Sequence, residues 1–288
     1  MRALGLLASS LFVVGCVTGA PASQFPTADD ALGRMKATYA CTNGVQGEAK
    51  LDVFTKEIGR VRGQAYVTAV NPDRVRIDIV SFGTPLYTLT SDGKQFSLLD
   101  TKEHRFLEGP ASPCNLARLT QVPIPGHALV ALLRGEAPVL VHKPADASIR
   151  WESGHYVVSI PSTRDASEEI WVEVNPADVA KPWAEQRLRV VDVKVVQRGV
   201  ELYHAELAHH EVAKTAPPTE SDGIDPSIPP SGPACDAELP RSLRVTVPTQ
   251  PEPMIFQYKS GAWNPPILAN VFSQTRPGGV HGGFADCQ

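Results

Sequence analysis

The chain has 288 residues and a net charge of −4, and 20% of its residues are charged. A mildly acidic balance with no basic run excludes a nucleic-acid surface. The 26 prolines and 22 glycines require many turns and some irregular linker, and the length allows one or two domains.

Arg2 and the apolar stretch from Leu4 to Val14 read as a signal peptide over residues 1–15, the apolar run being too short to span a bilayer. It ends in Val13-Val14-Gly15-Cys16. Small residues just before a cysteine at this place resemble the bacterial lipobox. The resemblance implies cleavage before Cys16 and acylation of Cys16 with diacylglycerol and fatty acid such as palmitate. Val17 in the second mature position, where Asp would retain the protein, implies sorting to the outer membrane and its periplasmic face. Each buried methylene contributes roughly 0.8 kcal/mol, so a multiply acylated Cys16 is a stable anchor. Residues 16–26, rich in Ala, Pro, Ser and Gly, read as a lipidated tether.

Residues 27–39 have helical spacing, with Thr27 as cap and Asp29 and Asp30 at the positive end. Strands follow at 44–55 and 61–70, with a turn at Asn71-Pro72-Asp73. From residue 60 to 110 the chain reads as one antiparallel meander. Val75, Ile77 and Ile79 alternate with Arg74, Arg76 and Asp78, the period of a half-buried strand. Strands at 86–90, 95–98 and 104–108 follow, and the Asp92-Gly93 turn is a strong hairpin signal. Short helices are expected at 113–119 and 127–134, separated by Val122-Pro123-Ile124-Pro125-Gly126 and ended by Gly135. Strands resume around Trp151, Tyr156–Ile160, Ile170–Val174, 188–197 and 200–208. Residues 215–233 hold six prolines and read as an exposed linker. Strand-like pieces recur at 243–247 and 255–258. The glycine-rich ending 277–283 is not expected to form a regular element.

Besides Cys16, four cysteines remain: Cys41, Cys114, Cys235 and Cys287. An even number in an exported chain suggests two disulfides. The pairs Cys41–Cys114 and Cys235–Cys287 are preferred here. No spacing fits a zinc site.

Many strands and three short helices give a mainly β fold, a curled antiparallel sheet, or half-open barrel, with the helices as lid or plug. Residues 27–214 would form the half-barrel, 215–238 the linker, and 239–288 the strands completing the sheet. The hollow of such a sheet either shelters an apolar ligand or is filled as an ordinary core. Val75, Ile77, Ile79, Phe96, Leu98 and Phe106 are the candidates for its wall.

The segment from Ile77 to Pro138 resembles the outer-membrane receptor of the bacterial lipoprotein-localisation system, in the LolA/LolB superfamily. The Phe82-Gly83-Thr84-Pro85-Leu86 loop, the SDGKQFSLLD hairpin and VPIPGHALVALLRGEAP carry the resemblance. It implies a half-barrel whose cavity takes the acyl chains of lipoproteins and passes them to the outer membrane. It also implies a periplasmic carrier as partner and an apolar membrane-contact residue on the 81–86 loop, Phe82 or Leu86. The four further cysteines and the proline-rich insertion depart from the pattern. The alternative is an envelope assembly lipoprotein with a filled core and a protein partner.

Neither G-x-S-x-G, nor H-E-x-x-H, nor a phosphate loop occurs, and no cofactor, metal or catalytic residue is expected. His204, His209 and His210 read as strand-end polar residues. Glu168, Glu169, Glu201 and Glu206 read as a solvated face. A hydrolase would need a buried, strongly perturbed acid beside a pocket.

Overall fold

The computed structural model describes residues 19–55, 59–221 and 223–286. The signal peptide, Cys16 and Cys287 lie outside the described residues. Among the described residues there are three α-helices: α1 (Ala28–Thr38), α2 (Pro113–Thr120) and α3 (Gly126–Leu133). The strands are β1 (Gly44–Thr55), β2 (Gly59–Val70), β3 (Arg74–Ser81), β4 (Thr84–Ser91), β5 (Gln95–Asp100), β6 (Arg105–Pro110), β7 (Ser148–Glu152), β8 (His155–Pro161), β9 (Ala166–Val174), β10 (Leu188–Gln197), β11 (Val200–Val212), β12 (Glu238–Thr246), β13 (Met254–Trp263) and β14 (His281–Phe284).

All belong to one curled sheet, not closed into a barrel, in the order β14-β6-β5-β4-β3-β2-β1-β13-β12-β11-β10-β9-β8-β7. These neighbouring pairs are antiparallel except β14 with β6, which is parallel. The glycine-rich ending therefore does form a strand, contrary to expectation. Its glycines allow close approach: a Cβ on Gly282 would lie 2.3 Å from Arg276, and one on Gly109 would lie 2.2 Å from the Ala285 carbonyl oxygen. Asn115 Nδ2 then donates to that carbonyl at 2.9 Å.

Partners across an antiparallel ladder share a face. Val67, Ile77, Leu89 and Leu98 face one another in sequence across β2 to β5, and all are buried on the concave side. The outer side of the same strands carries Arg76, Asp78, Thr88 and Thr90. Residues 265–280 cross this outer face. Gln274 Nε2 donates to the Thr88 carbonyl at 2.9 Å, Arg76 reaches the Val271 carbonyl at 3.3 Å, and Arg74 lies over the Phe272 ring.

At one end of the sheet, the starts of β1 and β12 and the end of β13 are tied together. Cys41 is bonded to Cys235, with Cα atoms 5.4 Å apart. This corrects the expected Cys41–Cys114 and Cys235–Cys287 pairs. The reason is topological: β12 and β13 enter between β1 and β11, which brings residue 235 beside residue 41. Cys114 is also disulfide-bonded. Beside the 41–235 bridge, the fully buried Asn264 donates to the carbonyls of Cys41 (2.8 Å) and Pro233 (2.7 Å) and accepts from Asn43 N–H (2.6 Å). A bridge of this span limits the unfolded chain. Cys41→Ser/Cys235→Ser should therefore lose about 2–4 kcal/mol in urea unfolding under oxidising conditions. No change in midpoint would show that the Asn264 knot suffices.

Candidate functional site

The hollow is where a ligand-binding reading stands or falls, and it is occupied. α1 packs on β8 and β10, and α3 packs on β2 and β3. Leu119 and Thr120 of α2, with Leu129 and Leu133 of α3, face Leu51, Ile77, Met254 and Phe256 of the sheet across a void of about 10 Å³. That is room for no more than one water. Among the described residues, packed side chains take the place of an open cavity between these helices and the sheet.

Of the six expected wall residues, Val75, Ile77, Ile79, Phe96 and Leu98 are buried and belong to the core around the helices. Phe106 is the exception. Leu98 pairs with Leu107 and Leu99 with Phe106, so Phe106 points to the outer face. It is fully buried there, outside the main core cluster. Outer-face cover by the C-terminal segment makes a large apolar residue tolerable on that side.

α3 reads Gly-His-Ala-Leu-Val-Ala-Leu-Leu. Ala128, Leu129, Val130, Leu132 and Leu133 are buried. Its start follows Pro125 and has no side-chain cap. Its end is held firmly. Tyr258 Oη donates to the Leu133 carbonyl at 3.1 Å. Arg134, 3% exposed, donates to the Thr42 carbonyl and hydroxyl and to Asn71 Oδ1, and pairs with Glu136 at 2.6 Å. Burial pushes the Glu136 carboxyl up, and the Arg134 charge opposes that shift. Gly135 follows at φ +82°, where a Cβ would meet the Pro240 ring at 2.5 Å. The plug is thus fixed at one end and uncapped at the other.

The other half of the hollow contains a carboxylate that its residue type misplaces. Glu168, expected on a solvated face, is 2% exposed and faces inward, opposite Ile160 and Val195. The β9 alternation Glu168, Ile170, Val172, Val174 carries that signal. Glu168 Oε2 accepts from Leu140 N–H at 2.8 Å, and Oε1 has no partner among the described residues. Burial pushes its pKa up to about 8, with the Leu140 hydrogen bond opposing. Its cross-strand neighbours Ile160 and Val195 are aliphatic, and the nearby titratable group is the buried Tyr203, whose hydroxyl is pushed up by burial first and then by the Glu168 charge.

Glu169 does lie on the outer face, accepting from Trp171 Nε1 at 2.8 Å. His204 Nε2 meets Asp192 Oδ2 at 2.5 Å. His209 is exposed, whereas His210 Nε2 is buried and lowered to a pKa of about 4, by burial first and then by the Arg189 charge. Among the described residues, no cluster of three or more His, Cys, Asp or Glu side chains is placed to hold a metal ion.

The β3–β4 turn presents Phe82 at φ +48° and Gly83 at φ +79°. A bulky side chain in left-handed backbone is unfavourable. Phe82 is also 105% exposed, so no packing contact offsets that cost. Leu86, the other expected contact residue, is half-buried and packs on the core. Among the described residues, no helix is long and apolar enough to cross a membrane.

No family model matches the chain, and no curated protein matches it. Solved structures do match. A DUF1329 family protein from Desulfovibrio piger is 9% identical, with 85% of this chain and 95% of that chain covered and a TM-score of 0.50. A LolA superfamily protein from Nitrosomonas europaea is 11% identical, with 87% and 99% covered and a TM-score of 0.49. A domain described as an outer membrane lipoprotein-sorting protein, from Vibrio parahaemolyticus, is 10% identical, with 85% and 95% covered and a TM-score of 0.46. The structural neighbours thus include LolA-superfamily and DUF1329 proteins. At such identity the likeness is one of fold.

Proposed function

We propose that this is an envelope lipoprotein, anchored by acylated Cys16 at the periplasmic face of the outer membrane. Its hollow exchanges α3 for the acyl chains of a lipoprotein or a similar apolar ligand. The observation that carries this reading is α3 itself: an apolar plug in a dry seam, uncapped at its N-terminal end. The energies are matched. Four large aliphatic side chains of α3, at roughly 1.5–3 kcal/mol each, amount to about 6–12 kcal/mol of burial. An acyl chain of about fifteen methylenes, at ~0.8 kcal/mol each, amounts to roughly 12 kcal/mol. Replacing one by the other is mildly downhill, as transfer between carriers requires. A periplasmic carrier is the natural partner, and Phe82 is the side chain placed to meet an apolar surface.

The Cys16→Ala protein, purified without its anchor, should yield acyl species by mass spectrometry. Leu129→Ala/Leu133→Ala, which loosens the plug, should bind a fluorescent fatty acid at least about tenfold more tightly, or ~1.4 kcal/mol. A protein that carries no lipid and accepts none in either form rules the exchange out.

One observation favours a second reading. The outer face holds a groove of about 730 Å³, floored by Gln46, Glu48, Tyr66 and Arg76 and walled by residues 216–219 and 266–271. Tyr66 is 46% exposed in it. A filled-core assembly lipoprotein would use this groove for a protein partner.

A further inference from the structure

Every strand from β1 to β13 runs between two rims of the sheet. β3 ends at Ser81 and β4 begins at Thr84, so Phe82 sits on what is here termed the upper rim. Register carries the direction across the sheet. Arg74 lies opposite Val70, Val70 opposite Gly44, and Val45 opposite Trp263, all at the lower rim. Val212 opposite Glu238 continues the lower rim, as do Leu188 opposite Val174 and Glu152 opposite His155. The Ser153-Gly154 turn therefore lies at the lower rim, at the far edge of the sheet from Phe82.

The described chain begins at this lower rim. Gly19 and Pro21 line a groove of about 440 Å³ with Trp151, Ser153, Pro176 and Val179. Within the stretch read as a tether, residues 21–26 are docked, with Pro21 and Phe25 buried. Trp183 N–H donates to Ser23 Oγ at 2.9 Å, and Gln186 Nε2 donates to the Ser23 carbonyl at 3.2 Å. The Phe25 ring packs edge-on against Tyr156 at 5.0 Å and Trp183 at 5.6 Å. Between Cys16 and Gly19 the chain can reach only about 11 Å. β3 alone, at ~3.3 Å per residue, stands about 26 Å tall.

We propose that the protein stands on its anchoring bilayer by the lower rim, with Trp151, Val179, Lys181 and Trp183 nearest the lipid and Phe82 pointing away. The inference rests on acylation of Cys16. The rim chemistry suits the place: tryptophan favours the membrane–water boundary, and Trp151 and Trp183 are half-buried there with one side on the core, beside Lys181, which is paired with Asp178 at 2.6 Å. Val179 is 44% exposed there, and Lys181 is exposed. The consequence is specific. The apolar tip faces what arrives from the aqueous side, not the bilayer that holds the anchor.

The test uses the full-length, lipidated protein in phosphatidylethanolamine–phosphatidylglycerol vesicles containing brominated acyl chains. An environment-sensitive dye is placed at Val179→Cys or at Phe82→Cys. Quenching is expected to be several-fold stronger at 179 than at 82. Equal or stronger quenching at 82 overturns the orientation. The mass of the N-terminal peptide, measured on the same sample, separates the two readings. An unacylated Cys16 removes the anchor and the orientation together. An acylated Cys16 with position 82 quenched removes only the orientation.

Discussion

Arg134→Ala is expected to lower stability by about 3–5 kcal/mol, because it strips the partner from a carboxylate held away from water. Four acceptors converge on this guanidinium: the Thr42 carbonyl and hydroxyl, Asn71 and Glu136. Removing it leaves Glu136 without its countercharge and takes this donor from Thr42 and Asn71. It also frees the C-terminal end of α3, the end at which the plug is held. Arg134→Met/Glu136→Leu removes both charges and should recover most of the loss, since buried ion pairs seldom outperform apolar replacements. Urea unfolding of the three proteins checks this. A single mutant as stable as the wild type would mean that α3 is held by apolar packing alone.

Glu168→Gln is expected to stabilise the protein at alkaline pH and to have little effect at pH 4. The sign follows from linkage. The folded carboxyl has a pKa of about 8, against the ordinary value of 4.5 in the unfolded chain. Between these values the folded state binds the extra proton, so stability falls as pH rises from about 4.5 to about 8 and is flat beyond. At ~1.4 kcal/mol per pH unit the total fall is on the order of 5 kcal/mol. The glutamine amide keeps an acceptor for Leu140 N–H and carries no charge. The wild-type and variant curves should meet at low pH and separate steadily above about pH 5. Parallel curves would mean that the Glu168 carboxyl titrates in the folded protein as it does in the unfolded chain. Above about pH 8 the wild type holds a charge inside the hollow beside the segment at Leu140, so the same variant also tests whether charging this wall loosens the fold there.

Much of this fold is legible in the chain, and the failures have particular causes. Alternation over Arg74–Val80 gives both the strand and its inward face, because one face of β3 is apolar and the other carries Arg76 and Asp78. The same rule fails at Phe106, because the C-terminal segment covers the outer face and both sides of β6 can then be buried. Glu168 fails in the opposite sense: a charged residue at an inward position reads as surface unless its place in the Ile170, Val172, Val174 register is given more weight than its type. Disulfide pairing is not deducible from spacing, since it depends on β12 and β13 entering between β1 and β11. The apolar content of α3 is plain from its sequence, but whether such a helix lies over the hollow or inside it depends on strand curvature. That curvature is set by the whole sheet. Phe82 is legible as an apolar residue in a turn; only its positive φ and full exposure separate it from Leu86.

The place of β12 and β13 bears on how the chain is made. Strands β1 to β6 neighbour one another in space in the order they are synthesised, and so do β7 to β11. The central pair comes almost last. As the polypeptide is made, both half-sheets present bare hydrogen-bonding edges, at β1 and at β11, until residues 238–263 arrive to bridge them. A nascent chain with two unpaired edges is prone to aggregate. The two half-sheets therefore stay separate until the C-terminal fifth of the chain has been made.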